Sequence, residues 1–461
     1  MAETESLHEI LDEASDMADV DSAEAPPESD LSDDEEAKAP EPKFWTTQPV
    51  PQIDDPPFEG DGPIQSIPSD QVSTTPAVLP DGLQWSFVDI TQTEQLLELY
   101  HLLANHYVED PDEEFRFNYS PAFLTWALKP PNYVPDWLIG IRSPGSNALV
   151  AFISGIPLTL NIRGNIVKTS EFNFLCIHRK FRLKRLTPAL VSEFIRQSRL
   201  KGVVQSFFTA GAYLFPAVSE CRYFHRPLNF PRLVNVGFSY VPASSSMSEM
   251  VERNKVPTET SLPGLREMDE RDVPAVKELL TKYLTRFDMV PVFSKEEIHH
   301  TFVAGRGIGD RGENGRRKDQ STCTYVVENP ETHEITEFFS LYHIPSTVLD
   351  NEEDPEINVG YLSYYASTAA FEEDAEGEDG KLKHRLTELI QDALVIAKQQ
   401  NFDVMNALTL MDNNSFLRDL KFTPGTGILS YYLYNWKTKP LSGYTATDDR
   451  PIGRGVGVIM L

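Results

Sequence analysis

An apolar strand that runs into a dense cationic loop and then into a helix start constrains this chain more than any other segment. Phe172 to Ile177 is strand-like, and Arg179, Lys180, Arg182, Lys184 and Arg185 place five cations within seven residues. Thr187-Pro188 reads as a helix N-cap and first helical position, ahead of Leu190, Val191, Phe194 and Ile195 on one helical face. Strand, cationic loop and helix N-terminus bring backbone N–H groups and positive side chains to one spot. That is an anion site, suited to the phosphates of a nucleotide-like cofactor.

The charge balance isolates this patch. The 461 residues carry a formal net charge of −29, so the molecule as a whole repels a nucleic-acid backbone. Residues 1–43 hold 16 Asp/Glu against two Lys, with no aromatic residue and many Pro, Ala and Ser. Such a segment buries too little apolar area to offset its ordering entropy, and a disordered acidic tail is expected. It has no basic and then apolar leader pattern, and no apolar run approaches the ~18 residues of a membrane span. Cys176, Cys221 and Cys323 form neither a disulfide framework nor a zinc pattern, which points to a reduced, intracellular setting.

The remainder exceeds one ordinary core, given a prior of about 150 residues per domain. Helical spacing is read at Glu94–His106, with Leu96, Leu97, Tyr100 and Leu103 inward, and again at 272–284 and 382–400. Strands are read at 137–142, 148–154, 206–210, 322–328, 337–344, 360–366, 402–408 and 428–436, with a hairpin at Arg163-Gly164-Asn165. Residues 241–263 resemble a linker between two mixed α/β halves. The Gly/Arg run 305–318 and the acidic runs 350–356 and 372–379 read as solvated loops.

Glu171-Phe-Asn-Phe-Leu-Cys-Ile-His178, followed by Arg182 to Pro188, resembles the E-I-N-F-L-C-V-H and R-S-K-R-L-x-P blocks of eukaryotic glycylpeptide N-tetradecanoyltransferases (N-myristoyltransferases). Lys43-Phe44-Trp45 with Thr47 to Pro51, Asn105 to Asp110, Phe115-Arg116-Phe117, Thr209-Ala210-Gly211 and Cys221 to Arg226 match further family motifs in order. So do Phe402 to Leu408, Tyr431 to Trp436 and the apolar tail Gly457 to Leu461. The resemblance covers roughly residues 43–461. It implies an α/β fold, a GNAT-like saddle of mixed sheet in two pseudo-symmetric halves: 44–245 binding myristoyl-CoA, and 246–461 forming most of a peptide groove.

The resemblance also implies site roles. Acyl transfer from a thioester to an amine needs an oxyanion site, a base and acyl positioning. The backbone N–H groups of Phe174 and Leu175 would form the oxyanion hole, and losing one such donor costs ~3 kcal/mol. The base would be the α-carboxylate of Leu461, carried inward by Val456 to Met460. Asn173 and Thr209 would line the amine's path. Lys43, Phe44, Trp45, Phe174, Leu175, Cys176, Ile177, Arg182, Leu183, Lys184, Arg185, Leu186, Thr187 and Pro188 would contact myristoyl-CoA. Tyr107, Val108, Glu109, Asp110, Phe115, Phe117, Tyr223 and His225 would face the peptide, and the acidic run 109–114 would attract basic substrate N-termini.

The implied enzyme is a cytoplasmic monomer with no prosthetic group and no metal. It takes myristoyl-CoA as acyl donor and Gly-x-x-x-Ser/Thr N-termini as acceptors; its acidic tail is a candidate ribosome contact, and no nucleic acid is bound. Cys176 two residues from His178 suggests a nucleophile and base, yet the family transfers acyl groups directly, and Cys176 reads as a packed thiol. Leu183, Phe208 and Thr426 stand where Ser, Tyr and an acidic residue are usual. Two rival readings remain at this point: an N-acetyltransferase on the same fold, and a non-catalytic basic-patch adaptor.

Overall fold

The computed structural model describes residues 44–56, 60–66, 68, 71–107, 114–349, 351, 356–377, 380–444 and 454–461. The acidic segment 1–43 therefore lies outside the described residues, as do Lys43, Val108, Glu109, Asp110 and most of the 109–114 run.

A single 13-stranded sheet organises the rest. In chain order its strands are β1 (Gln84–Phe87), β2 (Ile139–Arg142), β3 (Leu149–Ile162), β4 (Asn165–Ile177), β5 (Gln205–Ala210), β6 (Ser219–Pro227), β7 (Leu265–Glu267), β8 (Met289–Pro291), β9 (Thr322–Glu328), β10 (Ile335–His343), β11 (Val359–Ser367), β12 (Val404–Leu408) and β13 (Thr423–Tyr434). Across the sheet they run β1-β2-β3-β4-β5-β13-β6-β12-β11-β10-β9-β7, with β8 added to the far end of β3. Five longer helices pack on it: α1 (Thr93–His106), α2 (Pro121–Leu128), α3 (Leu186–Leu200), α4 (Val273–Leu284) and α5 (Lys381–Gln399).

The expected hairpin is present: β3 and β4 pair antiparallel around Arg163-Gly164, both at positive φ. Helix α3 then crosses over to β5, which runs parallel to β4, as a parallel pair requires. That pairing spans only Thr169–Glu171 against Gln205–Phe207, so beyond Glu171 the two strands part. The construction recurs further along the chain, where β11 and β12 are parallel over Val359–Tyr361 alone and α5 is the crossover. Strand β13 inserts between β5 and β6. Two apolar clusters result, one around Phe194, Phe207, Leu386 and Tyr431, the other around Leu103, Phe123, Phe152 and Phe174.

Several local expectations shift. Helix α3 begins at Leu186 rather than after Thr187, because Arg185 adopts a left-handed φ of 55° and ends a short 3-10 turn, Arg179–Lys184, immediately before it. Helix α1 buries Leu99, Leu102 and Leu103, while Leu97 is exposed, so its inward face is rotated from the one expected. The presumed linker contains a helix, Met247–Arg253, nucleated by a capping box between Ser246 and Glu249. The Gly/Arg run is not merely solvated: Arg311 and Arg317 both pair with Glu267, and Arg316 bonds His343 and Asn358.

Candidate active site

The parting of β4 from β5 coincides with a break in the β3–β4 ladder. Phe152 pairs with Cys176 and Ser154 with Asn173, so Ile153 alone faces both Phe174 and Leu175. This is a β-bulge, and Phe174 takes φ = 53°, a left-handed conformation uncommon for an aromatic residue. The turn re-aims its amide. The Phe174 N–H donates to Asn173 Oδ1 at 2.7 Å, while Ser154 Oγ secures the Asn173 carbonyl at 3.0 Å.

The chain's last residues enter this gap. Gly455 sits at φ = 83° and its carbonyl accepts from the N–H groups of Asp288 and Met289. The Gly457 N–H returns to the Met289 carbonyl, and the Met411 N–H donates to the Val456 carbonyl. Val456, Val458 and Met460 are buried, and the Ile459 N–H donates to Tyr364 Oη at 2.9 Å. An apolar tail alternating in this way docks as an added strand would, which overrides the usual fraying of a terminus. It arrives between the parted strands: Thr209 Oγ1 on β5 contacts Met460 Sδ at 3.2 Å, and Asn173 Nδ2 on β4 donates to the terminal carboxylate of Leu461.

Asn173 thus has one self-consistent orientation. A carboxylate only accepts, so Nδ2 faces Leu461, and Oδ1 is left for the Phe174 N–H and for the Tyr107 hydroxyl at 3.2 Å. Cys176 lies two residues further on, buried, its thiol pushed up to about 12 by burial and directed at the Leu102 carbonyl. A thiol held in that state is a poor nucleophile.

The cationic loop meets the helix start as the sequence suggests. Arg179, Lys180, Arg182, Lys184 and Arg185 are all exposed. Helix α3 has no side-chain cap on its first-turn amides, which leaves them without that partner at the end of the cationic turn. Arg182 also donates to the His106 carbonyl, and His106 packs on His178 with ring centroids 4.0 Å apart. Burial, then His178 and Arg179, hold the His106 imidazole down to about 4. Leu183 is 97% exposed and adds no polar contact to the loop. Trp45 is buried between Phe208 and Phe215, and Phe208 stacks on Phe172 at 4.2 Å, so the Phe at 208 serves an aromatic stack.

The described residues expected to face the peptide form an aromatic wall. Tyr107 meets Tyr119 and Phe174, and Tyr119 meets Phe117, which reaches Tyr361. Phe115 packs edge-on to Phe238, and Phe238 to His225. Tyr223 packs against both apolar clusters. His225 Nδ1 lies 2.8 Å from Asn406 Oδ1, and desolvation lowers its basicity, so it is neutral near pH 7. Tyr119, Tyr361, Tyr364 and Asn406 escaped the sequence reading. The Tyr-rich stretch 361–365 was the available signal for two of them. Among the described residues no cluster of His, Cys, Asp or Glu could hold a metal ion, and no helix is long and apolar enough to cross a membrane.

Comparison with known proteins follows the same outline. Residues 63–221 match the family model for the N-terminal domain of myristoyl-CoA:protein N-myristoyltransferase, and residues 235–459 match the model for its C-terminal domain. The chain is 47% identical over 423 residues to the glycylpeptide N-tetradecanoyltransferase of Ajellomyces capsulatus, a match spanning 91% of this chain and 78% of that protein. It is 42% identical over 429 residues to the Saccharomyces cerevisiae enzyme of that name, spanning 91% and 92%. The crystal structure of Saccharomyces cerevisiae N-myristoyltransferase with bound myristoyl-CoA aligns with a TM-score of 0.84 at 42% identity, covering 91% of this chain and 99% of that one.

Proposed function

The chain belongs to the myristoyl-CoA:protein N-myristoyltransferase family, and we propose that it transfers the acyl group by direct attack of a glycine amine, with the Leu461 carboxylate as base and the Phe174 and Leu175 amides as oxyanion hole. It is a glycylpeptide N-tetradecanoyltransferase, moving a myristoyl group from myristoyl-CoA onto protein. The observation that carries the mechanism is Asn173, whose one amide touches both the terminal carboxylate and the bulge N–H.

The chemistry follows from that bridge. A glycine ammonium is not nucleophilic until it loses a proton, and Leu461 is the acceptor. The freed amine adds to the thioester carbon, and the oxygen that gains charge takes the place Asn173 Oδ1 holds beside the Phe174 N–H. The bulge keeps the Phe174 N–H itself in place as that charge develops, and only Asn173 Oδ1 has to give way to it. Collapse of the adduct breaks the carbon–sulfur bond and expels CoA as thiolate, which takes up the surplus proton of the adduct nitrogen and leaves the neutral amide and free CoA. Thr209 and Tyr107 steady the tail and Asn173.

The reading extends to the flanking regions. Residues 44–245 would hold the acyl-CoA, its phosphates on the loop Arg179–Pro188, and residues 246–461 would supply most of the peptide groove. The acceptors are N-terminal Gly-x-x-x-Ser/Thr segments, met by a monomeric cytoplasmic enzyme whose acidic segment 1–43 contacts the ribosome. The test is a rapid-quench experiment with myristoyl-CoA and an octapeptide beginning Gly-x-x-x-Ser, with acetyl-CoA in parallel. Myristoylated peptide and free CoA should appear together, without acylated protein, and acetyl-CoA should transfer poorly. A transient acyl group on Cys176 that chases into product would overturn direct transfer.

A further inference from the structure

Leu461 is one wall of a cavity of about 110 Å³. Glu171, Ser363, Tyr364 and Leu461 line it together with apolar surface that includes Trp126 and Pro157. Glu171 stands two residues before Asn173 on β4, where side chains two apart share a face. It is only 8% exposed, and among the described residues its carboxyl has no hydrogen-bond or ion-pair partner. An unpartnered carboxyl buried to this degree is costly when charged. It belongs to no step described above.

We propose that Glu171 is a positioning residue for the substrate amine: it gives up its own proton when the glycine ammonium reaches Leu461, and then faces that cation as a second carboxylate. The proposal rests on the reading of Leu461 as the base. In balance, Glu171–COOH and peptide–NH₃⁺ become the pair Glu171–COO⁻ and peptide–NH₃⁺, with one proton passing to the buffer. Leu461 then takes the ammonium proton as before.

The other titratable groups on the cavity do not compete for this role. Tyr364 is pushed up by burial and already accepts from the Ile459 N–H. His300 is depressed by burial, and its Nε2 is 2.8 Å from the Trp126 carbonyl oxygen. Glu297 lines the same cavity from a neighbouring short helix, Lys295–His299, but its carboxylate is taken by the Ser294 N–H at 2.7 Å in that helix's capping box, and the terminal carboxylate is bonded to Asn173. Burial alone raises Glu171 to about 8, so it is largely neutral at pH 7 and leaves Leu461 as the resident anion. A cation drawn to Leu461 reverses that preference.

The experiment titrates a Gly-x-x-x-Ser peptide into the protein bound to a non-transferable thioether analogue of myristoyl-CoA, by calorimetry in two buffers of different ionisation enthalpy. The wild-type complex should release close to one proton per peptide at pH 7. Glu171→Gln should release none and bind the peptide about tenfold more weakly, the equivalent of one pKa unit. A desamino peptide should bind both proteins alike, which a merely structural defect would not produce. Unchanged affinity for the CoA analogue certifies the fold of the variant. Should Glu171→Gln fail to fold, infrared difference spectra of the wild-type protein should lose a neutral-carboxyl band on peptide addition. Absence of proton release from the wild type, or equal release from Glu171→Gln, overturns the proposal. The base assignment is judged separately, by turnover of a chain with an amidated Leu461; a slow amidated chain alongside normal release in Glu171→Gln removes this proposal alone.

Discussion

The side-chain amide of Asn173 donates a hydrogen bond to the terminal carboxylate of Leu461, 288 residues further along the chain. That single contact joins a strand bulge to the end of the polypeptide, the two groups on which the proposed mechanism relies.

Asn173→Ala removes the donor to Leu461 and the acceptor for the Phe174 N–H at once. A hydrogen bond to a charged group contributes about 2 kcal/mol, so kcat should fall roughly thirtyfold. The Kd for myristoyl-CoA, read by equilibrium titration, should hold within about twofold, because this loss of about 2 kcal/mol falls on the amine side.

Gly455 is the pivot on which the tail turns inward. At φ = 83° an added Cβ would lie 2.1 Å from the Ser442 carbonyl oxygen. Gly455→Ala is therefore expected to cost about 2 kcal/mol or more, since strain and a backbone clash combine. Thermal unfolding should begin earlier, and kcat should drop further than that loss of folded protein explains, because the carboxylate is displaced.

Replacing Arg182, Lys184 and Arg185 together with Ala strips three exposed cations from the start of α3. Charge-assisted phosphate contacts contribute about 1.5–3 kcal/mol each when made. The KM for myristoyl-CoA should rise at least about tenfold on that scale, with kcat little changed. The KM should also lose most of its dependence on salt. Steady-state kinetics at two ionic strengths provides both readings.

Much of this architecture was legible because it is local. The hairpin at Arg163-Gly164, the cationic loop and the inward face of α3 each follow from neighbouring residues, and each is present. The bulge was not legible as geometry. Phe174 adopts a positive φ with no glycine to announce it, forced by the register of β3, and only family resemblance drew attention to it. The insertion of β13 between β5 and β6 pairs residues about 220 positions apart, such as Ser430 and Ala210, which no local periodicity encodes. Thr187 misled for a related reason: the left-handed Arg185 ends the preceding turn, so the helix starts one residue before the expected cap. Glu171 stood in the sequence only as the first residue of a family block, because a lone acidic residue ahead of an apolar run resembles a strand edge until the cavity is seen.

Acid should destabilise the fold. His106 is held at about 4 in the folded protein against 6.5 when free, so the neutral form is the one folding favours. Between those values the unfolded chain binds more protons, and stability rises with pH. The contribution is present above about 6.5 and is lost as pH falls toward 4. Urea midpoints measured from pH 7 to 5 should decline, and His106→Asn should flatten the slope without changing its sign.

The last carboxylate of the chain is proposed here as the base. Its most direct test is the single-turnover rate of acyl transfer by protein whose Leu461 carries a C-terminal amide in place of the carboxylate, with myristoyl-CoA affinity as the control for folding. A base contributes about a hundredfold or more to such a step, so the rate should fall by at least that factor while the cofactor binds normally. An amidated chain that transfers at the wild-type rate would contradict the account and move the base elsewhere in the site.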